Sequence, residues 1–332
     1  MTAGAIDIHS HYLPGELVEA LAARRELPRI STRAGGARVI EYGEGNVHPV
    51  LPAMSDVELR LRDMDRQDIA LAVVGVNVPG VDWFPVADGP AVARAVNDEL
   101  AALVAAHPER IAAMATLPMQ ARDAAAAELQ RAAAAGFRGA MIYSNVAGTP
   151  LDAPALRVVF EAAADVDLPL FIHPTFPLSA ATVDAYALMP TLGFLFDTTT
   201  AVLRLVLGGL YERHPDLKLV LAHAGSLLPQ LVGRIDYEAA RMENGMGVLS
   251  APPSEHLRRL WTDSVCAWAP ALRSTLEFLG TERVMLGTDY PFWDPQVTSG
   301  TIDAAGLSPE VTERVRRGNA EALFGLAAVH AP

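Results

Sequence analysis

A chain of 332 residues with 51% apolar side chains can bury a large core, and its formal charge of −13 argues against nucleic acid or an anionic membrane surface as the main partner. One cysteine, Cys266, excludes an intramolecular disulfide, and a single lysine, Lys218, restricts any lysine chemistry to that residue. A small anionic substrate is not excluded, because local site charge can oppose the global sign.

The chain opens on Ala5-Ile6-Asp7-Ile8-His9-Ser10-His11, which reads as a buried strand. A strand repeats its side-chain direction every second residue, so His9 and His11 share a face and Asp7 is expected beside them. No basic leader or apolar run of membrane length is evident, so the expected location is the cytoplasm, with no membrane partner. The stretch 12–54, with Arg24-Arg25, Gly35-Gly36, Gly43 and Gly45, reads as a long irregular insertion that would roof the two histidines.

A regular alternation follows. Ser55-Asp56-Val57-Glu58 reads as a capping box opening a helix to about Gln67. Strands are expected at 71–76, 111–117, 137–143, 169–173, 217–223, 260–265 and 284–289. Helices are expected at 90–106, 121–135, 155–164, 199–213, 231–242, 271–279 and from 309 to Gly325. The strands are continuous apolar runs, as when both sheet faces are buried. Eight β-α units predict a single α/β domain over 1–332, a (β/α)8 TIM barrel. An open doubly wound sheet is the alternative; no Gly-x-Gly-x-x-Gly follows strand one.

Active sites of such barrels lie at the carboxyl ends of the strands. There the pattern places His9 and His11 on strand one, His173 on strand five, His223 on strand six and Asp289 on strand eight. Singly, each has an ordinary reading as a core or turn residue. Together, five polar groups in one barrel mouth are costly to desolvate unless a charge organises them, which predicts a metal site. His107 and His214 each precede a proline at a helix end and read as C-terminal caps, and His256 and His330 fall in or near a loop and in the tail. Cys266 reads as a packed thiol, since no nucleophile motif surrounds it.

Five motifs carry a family resemblance: Asp7-Ile8-His9-Ser10-His11, Thr116-Leu117-Pro118-Met119-Gln120, Leu170-Phe171-Ile172-His173-Pro174, Ala222-His223-Ala224-Gly225 and Leu286-Gly287-Thr288-Asp289-Tyr290-Pro291-Phe292. With Arg62-Asp63-Met64-Asp65, they span essentially the whole chain. The pattern resembles the amidohydrolase superfamily and, within it, the aminocarboxymuconate-semialdehyde decarboxylase family. Binuclear members of the superfamily carry a bridging lysine on strand four; here Phe137-Arg138-Gly139-Ala140-Met141-Ile142-Tyr143 has none, so one metal is expected. The resemblance implies that His9, His11, His173 and Asp289 ligate a single divalent metal, zinc first and manganese second, with no organic cofactor. It implies that His223 is the catalytic acid/base. It also implies a homodimer in which Arg234, in Leu231-Val232-Gly233-Arg234-Ile235, reaches a carboxylate across the interface.

Two departures stand out. The family's first-loop arginine is missing from Val47-His48-Pro49-Val50, leaving His48 as the binding candidate there and Arg33 or Arg38 as substitutes in another register. Ser226 stands where a second glycine is usual after the strand-six histidine. The lost arginine points to a substrate with one fewer carboxylate, a hydroxybenzoate or similar small aromatic or unsaturated acid. The expected reaction is non-oxidative decarboxylation, with His223 or Asp289 delivering the proton and Asp263 orienting His223. Trp83, Phe84, Phe176, Phe292 and Trp293 are candidates for an aromatic pocket. A metal-dependent hydrolase using activated water is the second reading, and a non-catalytic binding protein is the third.

Overall fold

β1 (Ala5–Tyr12) is buried along its whole length and is the seam at which the sheet meets itself. The computed structural model describes residues 4–43, 46–241 and 248–326; Gly45, Met242 and His330 lie outside them. After β1 come α1 (Gly15–Ala22), β2 (Arg29–Thr32), β3 (Arg38–Gly43), β4 (Asn46–Pro49) and α2 (Val57–Arg66). Then β5 (Ile69–Val76), α3 (Gly89–Ala106), β6 (Ile111–Thr116), α4 (Arg122–Ala134) and β7 (Gly139–Tyr143) alternate. The short hairpin β8 (Asn145–Val146) and β9 (Thr149–Pro150) precedes α5 (Arg157–Asp165), β10 (Leu170–His173), α6 (Phe194–Leu207) and α7 (Leu210–Arg213). The chain continues through β11 (Leu219–Leu221), α8 (Leu228–Ala239), α9 (Pro253–Leu257), β12 (Trp261–Thr262) and α10 (Ala269–Leu279). It ends in α11 (Pro295–Ala304), α12 (Pro309–Glu313) and α13 (Asn319–Phe324).

The main sheet has seven parallel strands in the order β1-β5-β6-β7-β10-β11-β12. The segment expected as an eighth strand is less regular, but it closes the sheet. Met285 N donates to Thr262 O at 2.9 Å on one side, and Ile8 N donates to Leu286 O at 3.0 Å on the other. Asp289 N to His9 O and His11 N to Tyr290 O, each 2.7 Å, complete the seam. The result is the (β/α)8 barrel with the helices outside, and the interior is plugged by Ile6, Ile8, Val73, Met114, Met141, Phe171, Val220 and Met285.

Several local expectations are corrected. The 12–54 stretch is not irregular: it holds α1 and the antiparallel sheet β2-β3-β4. Its strands are four to six residues and interleaved with charge, too short to show a period. Across that sheet Arg29 pairs with Glu41 at 2.8 Å and Ile30 faces Ile40. The cap of α2 is Asp56 rather than Ser55, its carboxylate accepting Leu59 N at 2.8 Å. The helix expected at 199–213 starts earlier, at Met189 through one π turn, and breaks at Gly208-Gly209, where Gly209 takes φ +78°. Residues Met189–Leu207 have the length, and with a hydropathy of 1.2 the composition, of a membrane span. Their Ala201, Val202, Leu205 and Val206 nevertheless pack into the barrel core. α11 was not expected at all; its Gln-Val-Thr-Ser-Gly run has poor helix propensity and is started by the Asp294 cap. His107 and His214 do sit at helix C-caps, whereas His256 lies within α9 beside Glu212 at 3.3 Å.

Candidate metal centre

The geometry of the centre begins with an irregularity in β1. Between Asp7 and Ser10 the strand advances three residues while β5 advances two, from Ala72 to Val74, so one extra residue is accommodated there. This defeats the simple alternation. Asp7 does not join the histidines; its carboxylate accepts Thr288 Oγ1 at 2.6 Å and the Thr288 and His9 amides at 3.0 Å each. Asp7 therefore latches β1 to the closing segment, and burial pushes its carboxyl up to about 6.

His9 and His11 turn into the barrel mouth and meet His173 and His223. Ring centroids lie 5.0 Å apart for His9 and His11, 5.1 Å for His9 and His173, 4.6 Å for His11 and His173, and 5.6 Å for His173 and His223. Asp289 completes the group, with its Oδ1 2.9 Å from His11 Nε2 and 3.4 Å from His9 Nε2. One ligand atom from each of His9, His173, His223 and Asp289 fits within 4.8 Å of the others. His11 stands at the edge of that set, its Nε2 3.2 Å from His9 Nε2.

The outer nitrogens decide what this cluster can hold. His9 Nδ1 is 2.6 Å from Asp263 Oδ2, and His173 Nδ1 is 2.7 Å from Pro174 O. A ring whose Nδ1–H is donated outward turns a bare Nε2 lone pair inward, the usual arrangement of a metal-bound imidazole. The inward face thus gathers imidazole lone pairs and a carboxylate, all acceptors, and among the described residues no lysine or arginine lines the cavity above them. Buried acceptors in mutual contact demand a cation. The side chains therefore fit a divalent metal, with donors of the N₃O kind that zinc or manganese accepts.

Electrostatics separate the imidazoles. Burial and the neighbouring rings hold His173 well below its ordinary range, and burial lowers His11, so both are neutral donors. Burial also opposes a charge on His9, but Asp289, Asp263 and Asp7 outweigh it and raise that imidazole. Asp289 resists its own burial because His9, His11 and His223 hold its carboxyl well below the usual value.

His223 occupies a strained turn. His223, Ala224, Gly225 and Ser226 take φ of +62°, +51°, +77° and +53° in succession. Non-glycine residues pay about 1–2 kcal/mol each in this region. Asp263 holds the turn by accepting His223 N at 3.0 Å and Ala224 N at 2.9 Å, and Thr262 Oγ1 accepts Gly225 N at 2.7 Å. The expected link from Asp263 to His223 is thus made through the backbone, while its side-chain contact is to His9. Ser226 offsets its own strain by bonding Ala222 O at 3.0 Å and Thr198 Oγ1 at 2.9 Å. Gly287 lets the closing segment approach: a Cβ there would lie 2.7 Å from Asp263 Cβ and 2.8 Å from His9 Cβ.

Above the centre opens a cavity of about 600 Å³ that reaches His173, His223 and Asp289. His48, Phe176, Phe292 and Trp293 line it, as expected, and Phe292 packs edge-on to His11 with ring centroids 5.5 Å apart. Trp83 and Phe84 do not line it, and Arg24 covers Phe84 at 4.8 Å. Arg234 is also absent from the wall; its side chain is 77% exposed on α8, with Glu238 at 4.0 Å. Arg33 and Arg38 are paired with Glu41 and Glu19, each at 3.2 Å, away from the cavity. Residues that sequence reasoning did not single out make up much of the wall, including Ile40 and Tyr42 of β3, Asn77 after β5, and Phe194 and Leu195 of α6. Cys266 lines it as well, and burial pushes its thiol up, in keeping with a packed rather than reactive group.

A family model described as Amidohydrolase matches residues 6–326. The 2-amino-3-carboxymuconate-6-semialdehyde decarboxylase of Dictyostelium discoideum is 31% identical over 276 residues, covering 82% of this chain and 77% of the relative. The gamma-resorcylate decarboxylase of Rhodococcus jostii (strain RHA1) is 33% identical over 294 residues, covering 81% and 87%. Among solved structures, 5-carboxyvanillate decarboxylase from Novosphingobium aromaticivorans DSM 12444, complexed with manganese and 4-hydroxy-3-methoxy-5-nitrobenzoic acid, superposes with a TM-score of 0.82 at 25% identity, covering 98% of this chain and 97% of that one.

Proposed function

The chain belongs to the amidohydrolase family, and from that premise we propose that it is a divalent-metal-dependent, non-oxidative decarboxylase of a hydroxybenzoate-type acid. The observation that carries this reading is the set of inward lone pairs of His9 and His173, fixed by Asp263 and Pro174 beside Asp289 at the floor of an apolar cavity. His9, His11, His173 and Asp289 are the proposed ligands. The metal, when bound, supplies Lewis-acid charge that neutralises and orients the oxygens of the substrate. Zinc suits the donor set, and manganese accompanies the 5-carboxyvanillate relative.

The chain's own groups supply the rest. Phe176, Phe292 and Trp293 line the cavity and offer an aromatic slot for the ring. His223 lines the cavity with a side chain only 10% exposed, its Nε2 3.7 Å from Asp289 Oδ2. It holds the proton that passes to the ring carbon bearing the carboxylate. The C–C bond then breaks, its electron pair returns to the ring, and CO₂ leaves with no net oxidation. Phe171, edge-on to His9 at 4.9 Å between centroids, keeps the floor dry, which strengthens each of these interactions.

Among the described residues the cavity wall has no arginine or lysine, which favours a substrate with one carboxylate. Arg234, exposed on α8, is available to a second copy, and the proposal includes a homodimer that sedimentation would detect. The test of function is incubation of metal-reconstituted protein with a panel of hydroxybenzoates. Stoichiometric CO₂ and the matching phenol support the reading. A hydrolytic product carrying ¹⁸O from solvent would replace it with the hydrolase.

A further inference from the structure

Arg60 lies on α2, just ahead of the Arg62-Asp63-Met64-Asp65 motif, and is only 1% exposed. Its charge has no ordinary partner. Arg317, the other buried arginine among the described residues, pairs with Glu321 at 2.7 Å, whereas Arg60 makes no ion pair among them. The Asp63 carboxylate, one turn along α2, is taken by Tyr290 Oη at 2.7 Å and by Arg66 at 2.9 Å. The Arg60 guanidinium donates instead to two neutral groups of β1, from Nη1 to Ser10 Oγ at 2.5 Å and from Nη2 to the His11 carbonyl. It also lies over the ring of Tyr290, 4.8 Å from the centroid, and more distantly over Tyr12, at 5.9 Å.

A buried cation without a carboxylate is costly, and an apolar side chain of similar volume would ordinarily serve stability as well. What the guanidinium touches accounts for it. In a parallel ladder the N–H and C=O of one residue face the same neighbouring strand. His11 N donates to Tyr290 O at 2.7 Å, so the His11 carbonyl also faces the closing segment. That segment has no donor to return: Pro291 lacks an N–H, and Phe292 N is taken by Asp289 O at 2.8 Å. Arg60 supplies the missing hydrogen bond, and through the Tyr290 ring it touches the residue next to Asp289. Resting on the ligand set proposed above, we propose that Arg60 is a positioning residue of the metal centre. By holding the His11 carbonyl and the Tyr290 ring together, it fixes the His11 imidazole against Asp289, 2.9 Å away.

The test loads the full chain with Co²⁺, whose visible spectrum reports coordination geometry, and competes the ion against a chelator. Arg60→Met removes the charge and both donors. It should bind Co²⁺ about 10- to 100-fold more weakly than wild type, the range for losing an outer hydrogen-bond partner of a metal ligand, and its cobalt bands should shift. Arg60→Lys keeps a charge and a donor and should recover part of the affinity and of the wild-type spectrum. A merely structural role would lower the melting temperature of metal-free and loaded protein alike and leave the spectrum unchanged. Wild-type affinity and spectrum in Arg60→Met, or a lysine variant no better than methionine, overturns the assignment. Where the methionine variant does not fold, Ser10→Ala, which frees one arm of the guanidinium, decides: weaker cobalt binding with shifted bands supports the assignment, and unchanged binding overturns it. No substrate enters this measurement, so failure to decarboxylate any acid counts against the proposed reaction and not against Arg60. A wild type that binds no Co²⁺ would overturn the metal centre and the role of Arg60 with it.

Discussion

The two sides of the barrel mouth satisfy their polar groups in opposite ways. On the floor, Asp7 and Asp263 each accept several hydrogen bonds and tie β1, the His223 turn and the closing segment together, while Asp289 lies against His9 and His11. On the wall, side chains from β3, α6 and the 265–275 region are mostly apolar and leave few polar groups to satisfy. The floor is pre-arranged to hold a charge, and the wall offers an apolar surface to whatever the cavity binds. Chemistry and selectivity therefore reside in separate parts of the chain, and substitutions should separate them.

The largest effect is expected for His223→Ala. Its kcat should fall by about 10²- to 10⁴-fold, the range for loss of a general acid, with metal content near that of wild type. Because His223 also fits geometrically among the ligand atoms, elemental analysis decides its role. Metal lost along with turnover would make it a ligand and leave His11 as the acid/base. Gly287→Ala comes next. Its Cβ would collide with Asp263 and His9, so the floor must shift, at about 1–3 kcal/mol of stability and with weakened metal retention. Unchanged melting and metal content would show that the floor is softer than described.

The third substitution lies outside both regions and serves as a control. Burial raises the Asp82 carboxyl from 3.8 to about 7, and its Oδ2 has no partner. Between those values the folded state keeps a proton that the unfolded state has released, so stability falls as pH rises through this window. Asp82→Asn should therefore stabilise the protein at pH 8, by about 2 kcal/mol, and much less at pH 4. Equal shifts at the two pH values in thermal unfolding would refute the titration. The smallest effect is expected for Ser226→Gly, which relieves the left-handed strain but loses two hydrogen bonds. A gain of no more than about 1 kcal/mol is predicted from denaturant midpoints, and a clear loss would show that the hydroxyl bonds outweigh the strain.

How much was legible in the sequence follows the same division. The floor is written in short motifs at strand ends, so His9, His11, His173, His223 and Asp289 were found from spacing alone, and their meeting follows from barrel closure. Asp7 was misplaced because the extra residue in β1 inverts the alternation, and nothing in the composition of Ile8-His9-Ser10 announces it. The wall was read poorly. Its aromatic members Phe176, Phe292 and Trp293 flank the motifs, but Ile40 and Tyr42 belong to β3 and Asn77 to the turn after β5, and neither face can be assigned without the fold. Asn77, in Val76-Asn77-Val78-Pro79, looks like an ordinary turn residue until its side-chain oxygen is found buried with no partner among the described residues.

The most direct measurement follows a ring-labelled hydroxybenzoate with metal-reconstituted, and then chelator-stripped, protein in H₂¹⁸O. The account predicts one CO₂ per phenol formed, no ¹⁸O in the aromatic product, activity lost on stripping and restored by zinc or manganese. Full activity in the stripped protein, or ¹⁸O in the product, would contradict it.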